Sequence, residues 1–157
     1  MEETSLTLDE IWRLQAELNR RAGFDTEAIG LELASLESSG QLPPEGGQRV
    51  VAGRALKNYI DAMSSECHEL LNCLSWKHWY KEAREGRQHE LQDIQNARVE
   101  VVDMLFFWIS MCQLLGMDMT TVLDLYAKKL KINHRRQDED RTQAQHSLHE
   151  DENRQVV

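Results

Sequence analysis

Residues 101–116, VVDMLFFWISMCQLLG, are apolar almost throughout, and the fold has to be built around them. Apolar side chains would cover nearly every side of a helix over this stretch, which is typical of a central, enclosed helix. A few amphipathic helices from one short chain would leave part of such a surface uncovered, so we expect a homodimer or a higher homo-oligomer. Asp103 lies within this run, and a buried carboxylate is costly unless something pairs with it.

Helical signals continue on both sides of this stretch, and no alternating strand pattern bounded by turn residues stands out. The central helix is predicted from about Glu90 to Leu115, and Thr7 with Glu10 forms a capping-box signature that opens the first helix. The other predicted helices end or begin near turn and cap signals and cover about residues 8–21, 26–36, 49–74 and 119–136. We therefore predict an all-α fold, a compact bundle of four to five helices.

Length and composition fit one globular domain, because the chain has 157 residues, 41% hydrophobic and 29% charged. We expect the helical domain to span residues 1–137 and the polar segment 138–157 to be a disordered tail, since it has few apolar anchors. The formal net charge of −9 argues against a nucleic-acid polymer as partner. The sequence shows no secretory signal, no apolar run of about 18 residues and no metal or disulfide spacing of its cysteines. We therefore expect a cytoplasmic protein without a membrane span.

Two pairs of acidic residues lie three positions apart on separate predicted helices: Glu66 with Glu69, and Glu100 with Asp103. Residues at this spacing share a helix face, with Cβ atoms about 5–6 Å apart. If the two helices pack antiparallel, four carboxylates converge, and they cannot all stay ionised without a cation. Oxygen ligands of this kind favour Mg²⁺, with Mn²⁺ as a substitute, over zinc. The alternative is that Glu66 and Glu69 belong to a solvated face while a buried Arg or Lys pairs with Asp103.

A basic stripe is predicted on the last helix. Lys129, Asn133 and Arg136 fall on one face at helical spacing, and Tyr126 lies on the same line. Two cations and an amide on one face can hold phosphate oxygens. The alternative is a solvated basic face, because cations are favoured near a helix C-terminus in any case.

Two amides on the first predicted helix also point to a site. Gln15 and Asn19 lie at helical spacing alongside the apolar stripe of that helix, so they face inward or border the inward face. Amides on a buried edge need hydrogen-bond partners, from the protein or from a ligand.

Four segments of the chain resemble the dimeric dUTPases, an all-α family related to the MazG-like NTP pyrophosphatases, and the similar bacteriophage dCTPase-dUTPases. These segments occur in the same order as in the family. They are IWRLQAELN at 11–19, ECHEL with SWKHW at 66–79, NARVEVVD at 96–103, and a motif at 125–138 that contains LY, K, N and RQD at intervals. Leu130 stands where the family usually has Asn, and residues 139–141, EDR, replace the family's NGY. The chain is also too short for the helical insertion of longer relatives and resembles the compact phage-like form.

The resemblance implies hydrolysis of dUTP to dUMP and pyrophosphate, with Mg²⁺ held by Glu66, Glu69, Glu100 and Asp103. Among these acids we expect Glu66 to deprotonate the attacking water. The resemblance further implies phosphate contacts by Lys129, Asn133 and Arg136, base contacts by Gln15, Asn19 and Trp76, and additional contributions from Lys77, Asn96 and Tyr126. Two alternatives stay open: a dCTP or modified-dNTP pyrophosphatase of the same fold, and a non-catalytic helical adaptor.

Overall fold

Helices build the whole fold in the computed structural model, which describes residues 5–40, 47–139 and 146–156. They are α1 (Leu8–Arg21), α2 (Thr26–Ser39), α3 (Gly47–Asn72), α4 (Lys81–Arg84), α5 (Ile94–Leu114), α6 (Met119–Asp138) and α7 (His146–Arg154). Within those ranges there is no strand, only an isolated antiparallel bridge between Leu74 and Leu91. The predicted all-α fold is therefore confirmed. Among the described residues, each helix taken by itself is too short or too polar to span a bilayer.

Helix α1 begins where the sequence predicts, because Thr7 and Glu10 form the capping box. The Thr7 hydroxyl accepts a hydrogen bond from the Glu10 backbone N–H at 3.2 Å, and the Thr7 backbone N–H donates to Glu10 Oε2 at 2.8 Å. The chain leaves the helix through Gly23, whose φ of +89° suits glycine. This start and stop place Gln15 and Asn19 one turn apart on the buried side of α1.

Helix α5 is the centre of the fold and contacts α1, α2 and, most extensively, α3. It begins at Ile94 rather than near Glu90, because the Asp93 side chain caps it by accepting from the Asn96 backbone N–H at 2.9 Å. The predicted enclosure is only partial. The exposed apolar face of α5 consists of Val99, Val101, Val102, Leu105, Phe106 and Trp108, each 38–52% exposed.

Helix α2 packs against the C-terminal end of α5 through backbone atoms. A Cβ atom on Gly30 would lie 1.9 Å from the carbonyl oxygen of Gln113, far inside van der Waals contact. A Cβ atom on Gly116 would lie 2.9 Å from the carbonyl oxygen of Gly30, and Gly116 also has a φ of +70°. Glycine at both positions therefore permits the two backbones to approach this closely.

The chain divides into two compact units, Met1–Gly116 and Met117–Val157. In the second unit, Glu152 of α7 accepts hydrogen bonds from Arg135 and Arg136 of α6 at 2.7 and 2.8 Å. These ion pairs explain how a helix forms inside the polar segment 138–157, for which the sequence predicts a disordered tail. The domain boundary at residue 137 stays a prediction.

Candidate active site

Acidic side chains from α3 and α5 converge at one point. Glu66, Glu100 and Asp103 each contribute a carboxylate oxygen, and these oxygens all lie within 4.8 Å of one another. Glu100 is buried, with 6% of its surface exposed, while Glu66 and Asp103 are half-buried. We call these three residues the carboxylate cluster. They are three of the four acids for which the sequence predicts convergence.

The fourth acid, Glu69, lies on the exposed side of the carboxylate cluster. Its Oε1 accepts a hydrogen bond of 3.4 Å from the Ser65 hydroxyl. Its charge still contributes to raising the pKa of Glu66, so it acts electrostatically on the cluster. Its role as a metal ligand remains a prediction.

Like charges dominate the cluster. Burial raises the pKa of Glu66 above its ordinary value, and the charge of Glu69, a hydrogen bond with Glu100 and the charges of Asp103 and Glu100 raise it further. Asn96 is the neighbour that relieves the crowding, since its Nδ2 donates to Glu100 Oε1 at 2.9 Å. In the described ranges, no lysine or arginine forms an ion pair with the three acids. The alternative in which a buried cation pairs with Asp103 is therefore not the arrangement found.

The chemistry and spacing of the carboxylate cluster fit Mg²⁺. This ion takes hard oxygen ligands at about 2.0–2.1 Å in an octahedron, so that opposite ligands lie about 4.2 Å apart. The three carboxylate oxygens, within 4.8 Å of one another, are close enough to face a single ion. A divalent cation would also offset the mutual repulsion of the three acids.

The carboxylate cluster opens into a cavity of about 420 Å³ inside the first unit. Glu66 and Asp103 line it together with Gln15 and Asn19. Its walls are otherwise mainly apolar or aromatic and include Leu18, Phe24, Tyr59, Phe106 and Phe107. Burial raises the pKa of Tyr59, which keeps its hydroxyl neutral, and a hydrogen bond with Ser110 opposes that rise. A mostly apolar cavity with a few polar groups is typical of a small-molecule site.

A network of buried polar side chains, which we call the amide network, holds Gln15 and Asn19. Gln15 Nε2 donates to Asn19 Oδ1 at 3.0 Å and to Ser110 Oγ at 3.2 Å. Asn19 Nδ2 donates to Ser110 Oγ at 2.9 Å and to Thr26 Oγ1 at 3.1 Å. Gln113 completes the network, and all five residues are at most 6% exposed.

The sequence predicts the two inward amides of α1 but not their partners Thr26, Ser110 and Gln113. A signal for two of the partners is present, because Ser110 and Gln113 are uncharged polar residues within the apolar stretch 101–116. Buried polar side chains in such a stretch require hydrogen-bond partners on a neighbouring element. Nothing in a single sequence indicates which element supplies them.

Trp76 and Lys77 do not line the cavity. They border a separate groove of about 270 Å³ with Asn72 and Tyr80. Lys77 Nζ lies 5.8 Å from the centre of the Trp76 ring and 5.5 Å from that of Tyr80. Trp76 Nε1 donates to Asn72 Oδ1 at 3.4 Å. Base contact by Trp76 and a contribution from Lys77 therefore stay predictions.

The predicted phosphate-binding residues lie on α6, in the second unit. Lys129 Nζ donates to Asn153 Oδ1 of α7, and Arg136 pairs with Glu152. Burial lowers the pKa of Lys129, the charge of Arg136 lowers it further, and the charge of Glu152 opposes this. Asn133 lies on the same stripe, and Tyr126 is 66% exposed. Within this unit two of the three predicted residues already contact oxygen atoms of α7, which are the kind of group that a phosphate would offer.

An all-α fold that gathers acidic residues from two helices beside a mostly apolar cavity is compatible with a nucleotide-hydrolysing enzyme. The family model for dUTPase matches residues 7–112, which is more than half of the chain and includes the carboxylate cluster and every member of the amide network except Gln113. The chain therefore belongs to the all-α dimeric dUTPase family. It is accordingly a hydrolase that acts on acid anhydrides, with dNTP pyrophosphatase activity. Comparison with curated proteins and with solved structures gives no match.

Proposed function

We propose that this protein hydrolyses dUTP to dUMP and pyrophosphate in a Mg²⁺-dependent reaction. One observation carries the proposal: Glu66 and Asp103 line the same cavity as Gln15 and Asn19. Carboxylates and amides in one cavity can serve the two ends of one nucleotide. The acids suit a metal-bound triphosphate, and the amides suit the polar edge of a base.

In this proposal Glu66, Glu69, Glu100 and Asp103 hold Mg²⁺, and Mn²⁺ can substitute for it. When bound, the ion supplies positive charge that neutralises the triphosphate and stabilises the leaving pyrophosphate. Asn96 positions Glu100, because its amide donates to one carboxylate oxygen and leaves the other available. Lys129 and Arg136 carry the phosphate-binding role through their positive charge, and Asn133, on the same stripe of α6, contributes its amide as a hydrogen-bond donor.

Glu66 is the residue that we propose as general base. Its carboxylate is half-buried at the edge of the cavity, where one oxygen can take a proton from the attacking water. The aromatic walls formed by Tyr59, Phe106 and Phe107 would hold the base and exclude bulk water.

We also propose that two copies of the chain form a dimer through the exposed apolar face of α5. A groove of about 490 Å³ runs beside this face and is lined mainly by Ile11, Leu14, Leu18, Val102, Leu105, Phe106 and Ile109. Apolar side chains in this number favour burial against another apolar surface. Light scattering should give the mass of a dimer, and Leu105→Glu should shift it toward the monomer. A monomeric wild-type protein would remove the dimer from the proposal.

Pyrophosphate release from each dNTP and NTP in the presence of Mg²⁺ tests the substrate. We expect dUTP to give the highest kcat/KM. A preference for dCTP or a modified dNTP would keep the metal site and replace the base assignment. Calorimetry with Mg²⁺ and a non-hydrolysable dUTP analogue provides a second measurement. No binding heat and no release from any nucleotide would favour a non-catalytic adaptor.

A further inference from the structure

The amide network carries one more inference, which concerns the polarity of base recognition and rests on the proposed function. We propose that Thr26, Ser110 and Gln113 fix the direction of the Gln15 amide, so that the base meets Gln15 through its carbonyl oxygen. These three are positioning residues, since they do not line the cavity. Gln15 would then act as a hydrogen-bond acceptor that selects a base offering an N–H group.

One end of the amide network is anchored to the backbone of α1. Gln113 Nε2 donates to the carbonyl oxygen of Trp12 at 2.9 Å. A carbonyl oxygen can only accept, so the amide nitrogen of Gln113 must face it and Oε1 must face the network. The Thr26 hydroxyl donates to that Oε1 at 2.7 Å. Having used its proton, the Thr26 oxygen can only accept from Asn19.

The other end is anchored to the backbone of α5. The Ser110 hydroxyl donates to the carbonyl oxygen of Phe106 at 2.9 Å. Its proton is therefore also used, and its oxygen accepts from Asn19 Nδ2 at 2.9 Å and from Gln15 Nε2 at 3.2 Å. Both anchors thus present acceptors toward the two amides of α1.

These acceptors force one orientation on each amide. Asn19 Nδ2 faces oxygens of Ser110, Thr26 and Gln113 at 2.9, 3.1 and 3.5 Å. A reversed Asn19 would set oxygen against oxygen at all three places, so Asn19 Oδ1 has to face Gln15. Gln15 Nε2 donates to that oxygen at 3.0 Å. A reversed Gln15 would set its own oxygen against the oxygens of Asn19 and Ser110, so that orientation is excluded as well.

The remaining polar atom of Gln15 is Oε1, and no donor from the described residues reaches it. Gln15 is only 6% exposed and lines the cavity. A buried acceptor without a partner is rare in folded proteins and indicates that a ligand supplies the donor. Uracil attached to a sugar has a single N–H group, at N3. The geometry therefore assigns that N–H to Gln15 Oε1.

The test compares dUTP with 3-methyl-dUTP, which lacks the N3–H. Wild type should lose roughly tenfold or more in kcat/KM on methylation, mainly through KM. Ser110→Ala and Thr26→Val should each reduce that ratio several-fold, because the first removes an acceptor of Gln15 Nε2 and the second removes an acceptor that orients Asn19, the other partner of Gln15. Thr26→Ser, which keeps the hydroxyl, should restore the ratio. Ser38→Ala removes an exposed hydroxyl that also donates to a backbone carbonyl, and it should leave the ratio unchanged.

The bulk of the methyl group is the same in every variant, so the change in ratio reports the orientation of Gln15 alone. A ratio that stays at the wild-type value in both Ser110→Ala and Thr26→Val overturns the inference while dUTP hydrolysis stands. If Ser110→Ala does not fold, the Thr26→Val and Thr26→Ser pair decides in the same way. If wild type hydrolyses no dUTP at all, the proposed function fails first, and that result is distinct.

Discussion

Two groups of buried polar residues in the first unit have opposite balances of donors and acceptors. The amide network matches donors to acceptors, and Gln15 Oε1 is the acceptor in it that no donor from the described residues reaches. The carboxylate cluster brings three acids within 4.8 Å, and Asn96 is the neighbour that donates to one of them. The comparison teaches that the first group is held together by its own hydrogen bonds, whereas the second leaves a surplus of negative charge, which the proposed Mg²⁺ would offset.

The largest expected effect follows from removing charge from the cluster. Asp103→Asn and Glu69→Gln should each fold but lose Mg²⁺-dependent turnover by about 10³-fold, because a catalytic metal is worth several kcal/mol in the transition state. Pyrophosphate release with dUTP measures the loss. Glu32→Gln, an exposed glutamate of α2, is the matched control and should keep full activity. Retained activity in both site variants would refute the metal-site assignment.

The next effect is stabilisation by the metal. At a free Mg²⁺ concentration of a hundred times Kd, the free energy of unfolding should rise by about 2.7 kcal/mol. Urea unfolding with Mg²⁺ and with EDTA measures the difference. The rise should disappear in Asp103→Asn, and that variant should be no less stable than wild type without metal, because a like charge is gone. A metal effect that is equal in both proteins would place the ion elsewhere.

Removing a member of the amide network should lower the stability of the fold, whereas removing a charge from the metal-free carboxylate cluster should not. Gln113→Leu keeps a similar volume but removes the amide donor to the Trp12 carbonyl and the acceptor of the buried Thr26 hydroxyl proton, so it should cost about 1–3 kcal/mol. The expected loss is independent of Mg²⁺. Urea unfolding measures it, with the exposed Gln95→Leu as control. A stable Gln113→Leu protein would mean that the network does not hold the fold.

The smallest effect concerns the cap that sets the start of α1. The Thr7 backbone N–H and hydroxyl donate to Glu10 and lower the pKa of its carboxyl below its ordinary value of 4.5. A lowered pKa stabilises the folded state above pH 4.5, and this contribution is lost as the pH falls through the lowered pKa. Glu10→Gln should therefore reduce stability slightly at neutral pH, and the two proteins should converge in acid. A gap that persists in acid would assign the effect to something other than this carboxylate.

The sequence predicts best what depends on spacing within one helix. The capping box at Thr7, the inward position of Gln15 and Asn19, and the pairing of Glu100 with Asp103 all follow from helical periodicity. The convergence of Glu66 with the acids of α5 also required the packing of two helices, and four motifs in family order supported it. Spacing alone left the metal-site and solvated-face interpretations equally open.

The sequence does not indicate which residue forms the hydrogen bond with each buried polar group. Thr26 begins α2, whereas Ser110 and Gln113 lie near the end of α5, and only the packed structure brings them to the same amide. The solvent exposure of each side chain is equally difficult to predict from the sequence. The apolar stretch predicts a helix enclosed on all sides, but within the described residues of one chain several of its large side chains stay near half exposed.

The backbone contact at Gly30 also affects the position of other residues of α2. Thr26 lies one helical turn before Gly30 on α2, and its hydroxyl lies 2.7 Å from Gln113 Oε1. The missing Cβ of Gly30 permits α2 to lie against the carbonyl oxygen of Gln113, and Thr26 contacts the side chain of the same residue. A single added methyl group, as in Gly30→Ala, would lift α2 and lengthen the bond. Under the proposed base recognition, a residue that does not line the cavity would thereby weaken the selection of the base.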